Sequence, residues 1–265
     1  MKVFRPFFAI GAFLLLVGLA CIVGGPTAAP TAQPQPTKEQ AATDAPPPTD
    51  SAGATDTPAT SGSATDTPAA SAGGDQYFTD DFSGTMDNYT VKNLGTGSED
   101  KMDVNIKDGY MVFDLTGANL WVYVTYNPFK YKDVTISMVA DNRGKNNNNV
   151  TLFCRKSDEG WYEFNIANNG LYWIYAFDAQ GLVAKGYNTI YNGGSTAIKQ
   201  GKDVNTYAAT CKGNQLSLSI NGTEVKTIKD SKFQFREGNV GFGVSSFGVT
   251  PILVEVDKFI VSQPK

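Results

Sequence analysis

The side chains able to do acid–base work in this sequence are few, and one of the usual ones is missing: none of the 265 residues is histidine. That removes serine–histidine nucleophilic catalysis and histidine-based metal sites from consideration. Carboxylates remain. Glu159 and Glu163 are spaced by four, with Trp161 between them, and Glu255-Val256-Asp257 forms a second short acidic group. Hydrolysis of a glycosidic bond with retention needs two carboxyl groups about 5 Å apart. Neither group supplies such a pair convincingly, so the expectation is a protein that is not an enzyme, with glycoside hydrolysis as the fallback.

Binding asks for less chemistry: aromatic rings to stack on pyranose faces, with amides and carboxylates beside them for hydroxyl groups. The segments Trp161 to Ala167 and Leu171 to Phe177 hold such a mixture. In extended chain, successive side chains point to opposite faces. Alternation therefore places Trp161, Glu163 and Asn165 on one face with Tyr162, Phe164 and Ile166 on the other. It likewise separates Trp173, Tyr175 and Phe177 from Tyr172, Ile174 and Ala176. The predicted platform is Trp161, Glu163, Asn165, Trp173 and Tyr175, and its partner a polysaccharide or other glycan. Trp121, Tyr123 and Tyr126 read as packing residues. The alternative is an adhesion or envelope-organising domain whose partner is another protein.

The elements that must hold this platform are strands. Short runs rich in Val, Ile, Tyr, Phe and Thr alternate with Gly, Asn and Asp clusters from Tyr77 onward, and no dozen residues show a helical period. Eleven strands are expected: Tyr110 to Leu115, Leu120 to Tyr126, Val134 to Ala140, Val150 to Arg155, Trp161 to Ala167, Leu171 to Phe177, Thr206 to Lys212, Gln215 to Ile220, Thr223 to Ile228, Asn239 to Val244 and Leu253 to Val261. Asn168-Asn169-Gly170, Lys212-Gly213-Asn214 and Asn221-Gly222 supply the positive φ angles of three hairpins. The run Asn146 to Asn149 reads as a solvated loop. So many short strands imply an all-β, two-sheet antiparallel sandwich.

Cys154 and Cys211 fall inside two of these strands, and in an exported domain the expectation is a disulfide, with two buried free thiols as the alternative. Export is read from the N-terminus. Lys2 and Arg5 precede an uncharged run from Phe7 to Gly25, about the length of a membrane-crossing helix, with its N-terminus cytoplasmic. Residues 1–25 are therefore a membrane anchor or signal segment. Gly18-Leu19-Ala20-Cys21 resembles a bacterial lipobox, making Cys21 a lipidation candidate, although Gly18 stands where leucine is usual. Uncleaved anchor, lipoprotein and cleaved signal stay open, and each leaves the rest membrane-tethered or extracytoplasmic. Residues 26–74 are a disordered Pro/Thr/Ala/Ser-rich linker, in which Ala54-Thr55-Asp56-Thr57-Pro58-Ala59 recurs as Ala64-Thr65-Asp66-Thr67-Pro68-Ala69. Residues 75–265 are the folded domain. Removing Lys2, Arg5 and Lys38 from the 22 basic residues, and Glu39, Asp44, Asp50, Asp56 and Asp66 from the 26 acidic ones, leaves it 19 against 21. With its cations scattered singly, nucleic acid is not expected as a partner.

Several segments in order resemble the concanavalin A-like lectin/glucanase superfamily, in its laminin-G-like and 3-keto-disaccharide-hydrolase-like bacterial jelly rolls. They are Tyr77-Phe78-Thr79-Asp80-Asp81-Phe82-Ser83, Phe153-Cys154-Arg155 with Gly160-Trp161-Tyr162-Glu163-Phe164-Asn165-Ile166, Asn205 to Asn214 running into Leu216 to Gly222, and Gly238-Asn239-Val240-Gly241-Phe242-Gly243 with Val256 to Val261. The resemblance implies a jelly-roll sandwich with a concave sheet on which relatives bind sugars. Its catalytic members carry a strand motif of the form Glu-x-Asp-x-x-Glu. Glu255 and Asp257 match its first half, but Phe259 and Ile260 follow and no second glutamate arrives. Lectin-like sandwiches also bind Ca2+ through loop carboxylates. A structural Ca2+ held by Asp80, Asp81 and Asp257 is a secondary expectation, against the plainer reading of turn and edge carboxylates. No other cofactor is expected.

Overall fold

The computed structural model describes residues 76–265, so the anchor or signal segment, the linker and Cys21 lie outside the described residues. Fifteen strands follow one another: β1 (Phe78–Asp80), β2 (Tyr89–Asn93), β3 (Met102–Lys107), β4 (Tyr110–Leu115), β5 (Trp121–Tyr131), β6 (Val134–Asn142), β7 (Asn148–Lys156), β8 (Gly160–Ala167), β9 (Leu171–Asp178), β10 (Gly186–Gly194), β11 (Val204–Lys212), β12 (Gln215–Ile220), β13 (Thr223–Lys229), β14 (Gly238–Ser246) and β15 (Ile252–Ser262). One short 3-10 turn, Glu99–Lys101, interrupts them.

All pairings are antiparallel. One sheet has the order β13-β12-β11-β6-β15-β4-β3, and β15 pairs with β4 through Val256 and with β1 from Phe259 to Val261. The other has the order β10-β9-β8-β7-β14-β5-β2. The inner faces meet in one core that includes Phe113, Phe164, Phe242, Phe259, Leu218 and Ile174, all fully buried. A single open sheet would leave one apolar face in water, and stacking two sheets removes that exposure. Cys154 on β7 and Cys211 on β11 are bonded, so the disulfide crosses the core from one sheet to the other.

All eleven expected strands are present, most of them longer by one to four residues. The three hairpins turn where the glycines require: Gly170, Gly213 and Gly222 have φ of 91°, 56° and 80°, and Asn221 has 50°. The Asn146 to Asn149 reading needs correction. Asn148 and Asn149 open β7 rather than forming a solvated loop, and Asn148 is buried.

Candidate functional site

The outward face of the seven-stranded sheet is itself partly buried. Alternation sends Val122, Val124 and Tyr126 of β5 into the core and turns Trp121, Tyr123 and Thr125 outward. Beside them, β14 presents Gly241 and Gly243, which put no side chain of their own on this face. A Cβ at Gly241 would come within 2.4 Å of the Phe153 ring, so the ring folds over this glycine. Tyr123, Phe153 and Trp161 form a second apolar cluster, outside the main core, with Trp121, Leu94 and Phe177 around it.

A hollow of about 220 Å³ opens on this face, lined by Trp121, Tyr123, Asn149, Glu163, Asn165, Tyr175, Tyr187, Ser245 and Phe247. Glu163 lies at its base, 1% exposed. One carboxylate oxygen accepts hydrogen bonds from the Tyr123 hydroxyl at 2.9 Å and the Trp161 indole N–H at 3.1 Å, and the other from the Asn165 amide at 3.2 Å. The Tyr123 hydroxyl also pairs with that of Tyr187 at 2.6 Å. Asn165 extends the network to Thr151 at 3.0 Å and accepts from Asn149. Burial pushes the Glu163 carboxyl above its ordinary range, and the donors from Trp161, Tyr123 and Asn165 oppose this without overcoming it.

Of the five platform residues expected from sequence, the structure brings Glu163, Asn165 and Tyr175 into this hollow. Trp173 lies next to it, in an amide-lined hollow of about 370 Å³ that shares Asn149, Tyr175 and Phe247. Trp161 needs correction as an exposed ring. It is 6% exposed and stacked on Phe177 with ring centroids 4.0 Å apart, so it backs the wall of the site and orients Glu163. The sequence reading missed Trp121 and Tyr123, which line the hollow, whereas Tyr126 does pack in the core. The parity of β5 carries the signal that separates them. Tyr187 was missed because its strand, β10, is an edge strand broken by Gly and Asn.

The acidic groups fall elsewhere. Glu159 lies in the turn before β8, exposed, and does not share a strand face with Glu163. Glu255 is on β15 in the other sheet, bonded to Arg143 at 3.0 Å. Among the described residues Glu163 is thus the one carboxylate lining the hollow. The Ca2+ candidates do not gather either. Asp80 accepts from the Phe82 N–H at 2.8 Å and the Tyr89 hydroxyl at 2.6 Å, Asp81 from the Ser83 N–H at 3.1 Å, and Asp257 sits 3.6 Å from Lys258. Among the described residues no group of three His, Cys, Asp or Glu is placed to hold a metal ion.

No family model and no curated protein matches the sequence. Solved structures do resemble the fold. A Bacillus subtilis protein with a galectin-like fold aligns with a TM-score of 0.54 at 10% identity, over 70% of this chain and 94% of that one. A β-glucanase from Bacillus licheniformis gives 0.51 at 11%, over 71% and 98%. A family 16 endo-glucanase from Bacteroides ovatus gives 0.52 at 11%, over 70% and 99%. At such identities the likeness establishes the fold alone, a two-sheet antiparallel jelly-roll sandwich.

Proposed function

We propose that this domain binds carbohydrate without cleaving it, on the outer face of the seven-stranded sheet, and is held outside the cytoplasm by its N-terminal segment. The observation that carries the reading is the hollow between Trp121, Tyr175 and Tyr187, with the amides of Asn149 and Asn165 and the hydroxyl of Ser245 at its base. Half-exposed rings offer faces for pyranose C–H groups, and the polar groups between them match hydroxyls. The presence of glucan-acting enzymes among proteins of this fold agrees with a sugar ligand. The absence of a second carboxylate from the lining argues against hydrolysis, because Glu163 alone cannot serve as both acid and nucleophile.

The test is retention of the purified full chain on an array of polysaccharides, beside variants Trp121→Ala and Tyr175→Ala. Specific retention by the wild type, lost in both variants while their melting temperatures stay near the wild-type value, is the expected result. Release of reducing ends from any retained glycan would refute the non-catalytic part. No retention at all would favour a protein partner, for which the exposed loop residues Leu182 and Val183, 62% and 50% accessible, are the natural contact.

A further inference from the structure

Three hollows lie in line along β7 and β8 on the outer face of the seven-stranded sheet. The amide-lined one is at the Ala167–Asn169 end, the aromatic one is central, and a wide polar cleft of about 640 Å³ lies at the turn between β7 and β8. Lys156 stands between the last two. Simple alternation along β7 would send it inward with Val150, Leu152 and Cys154. A bulge prevents this: Gly241 pairs with Phe153 and Asn239 with Lys156, so Cys154 and Arg155 together face one residue of β14. Arg155 takes a φ of 56° there. The extra residue shifts the pleat by one and returns Lys156 to the face of Phe153. The bulge is pinned, since the Arg155 guanidinium donates to the carbonyls of Lys132, Gly213 and Phe235 at 2.7, 2.8 and 2.9 Å.

So delivered, the Lys156 ammonium lies 5.4 Å from the Phe153 ring centroid and 5.8 Å from that of Trp161, and donates to the Thr125 hydroxyl at 2.7 Å. Among the described residues it has no ion-pair partner. Lys92 on β2, opposite Tyr123 in register, flanks the same stretch of β5 and likewise has none. Farther into the cleft, Asp158, Glu159 and Glu237 stand with Lys130 and Arg236, so the excess of positive charge sits at the Lys156–Lys92 end. A half-buried ammonium without an anion is costly, and ring faces offset only part of that cost.

We infer that the glycan is acidic, with a carboxylate or sulfate group seated between Lys156 and Lys92. The inference rests on the carbohydrate-binding reading of the same face. A sugar chain leaving the central hollow toward the turn must cross Lys156, where an anionic group receives its N–H and meets Lys92 from the other side. The Glu163 carboxyl does not stand in the way, because it lies at the base of the central hollow, held there by three protein donors, and does not line the cleft that Lys156 lines.

The full chain can be titrated with alginate, polygalacturonate and chondroitin sulfate oligosaccharides, each beside its carboxyl-reduced or desulfated form. At least one acidic form should bind tenfold or more tightly than its neutral counterpart, with the preference fading as salt rises. Lys156→Met keeps the stem over the rings and removes the charge. It should abolish most of that preference, weakening the acidic form about tenfold and leaving the neutral form unchanged. Equal affinity for acidic and neutral forms, or equal weakening of both by Lys156→Met, would overturn the acidic assignment and leave the carbohydrate reading standing. Retention of none of these and of no array glycan would overturn both.

Discussion

Replacing Cys154 and Cys211 together by alanine should cost the fold about 5 kcal/mol. The two residues are 57 apart in sequence and on different sheets. Closing a loop of that length removes about 14 cal/mol/K of entropy from the unfolded chain in the chain-entropy account, which is about 4 kcal/mol at 25 °C. Both side chains are fully buried, so the lost sulfur atoms add on the order of 1 kcal/mol of cavity cost. For a domain of this size 1 kcal/mol moves the melting temperature by about 2–4 °C, so a drop on the order of 10 °C or more is expected. The assay is thermal and urea unfolding of the oxidised wild type, the double variant and each single variant. Each single variant should resemble the double one, because the cross-link is gone in all three. A double variant within about 3 °C of the wild type would refute the reasoning: the bridge would then constrain nothing that the paired sheets do not already constrain.

Further outcomes concern the site and its frame. Glu163 binds its proton more tightly in the folded chain than in the unfolded one, so its contribution is fully present below 4.5 and fades as pH rises through the higher folded value. The melting temperature of Glu163→Gln relative to wild type should therefore climb with pH above 4.5, and a difference independent of pH would show that burial does not govern this carboxyl. Asp178 behaves oppositely: burial pushes its carboxyl up, but the backbone N–H groups of Val183, Leu182, Gly181 and Ala184 more than offset this and hold it below the usual range. Its stabilisation is present above about 3.8 and lost as pH falls through the lower folded value, so Asp178→Ala should increase protease cleavage within residues 179–185 at neutral pH. Gly241→Ala places a methyl group against the Phe153 ring and the Val124 carbonyl, and urea unfolding should show a loss of about 3 kcal/mol.

Much of this fold is legible in two-residue alternation and turn chemistry. Strands with strong β-branched or aromatic runs, such as β6 and β9, stand out, as does the strict apolar–polar alternation of β12, and Asn-Gly at 221–222 fixes a hairpin without tertiary information. What escapes is short, polar or at an edge. The strands β2 and β3 escape because they are short and carry threonine, lysine, aspartate and asparagine on their exposed faces, and β10 because Gly193 and Gly194 imitate a turn. The site was half legible. Parity put Glu163, Asn165 and Tyr175 on one face, but parity cannot say how deep a residue sits. Trp161 is covered by Phe177 and Tyr187 from neighbouring strands, a relation that only strand order reveals. Lys156 was invisible as a site residue for a different reason. The bulge at Arg155 depends on the carbonyls of three distant segments, and no local pattern announces it.

The outward aromatic cluster has a thermodynamic consequence for recognition. Its rings are wedged together, with Trp161 on Phe177, Tyr187 edge-on to both, and Tyr123 tied to Tyr187 and Glu163, before any guest arrives. The receptor surface is thus already frozen, and rotamer disorder that binding would otherwise remove was spent during folding. The ordering entropy left to association falls chiefly on the flexible guest, so stiffening the guest should strengthen the complex more than stiffening the protein.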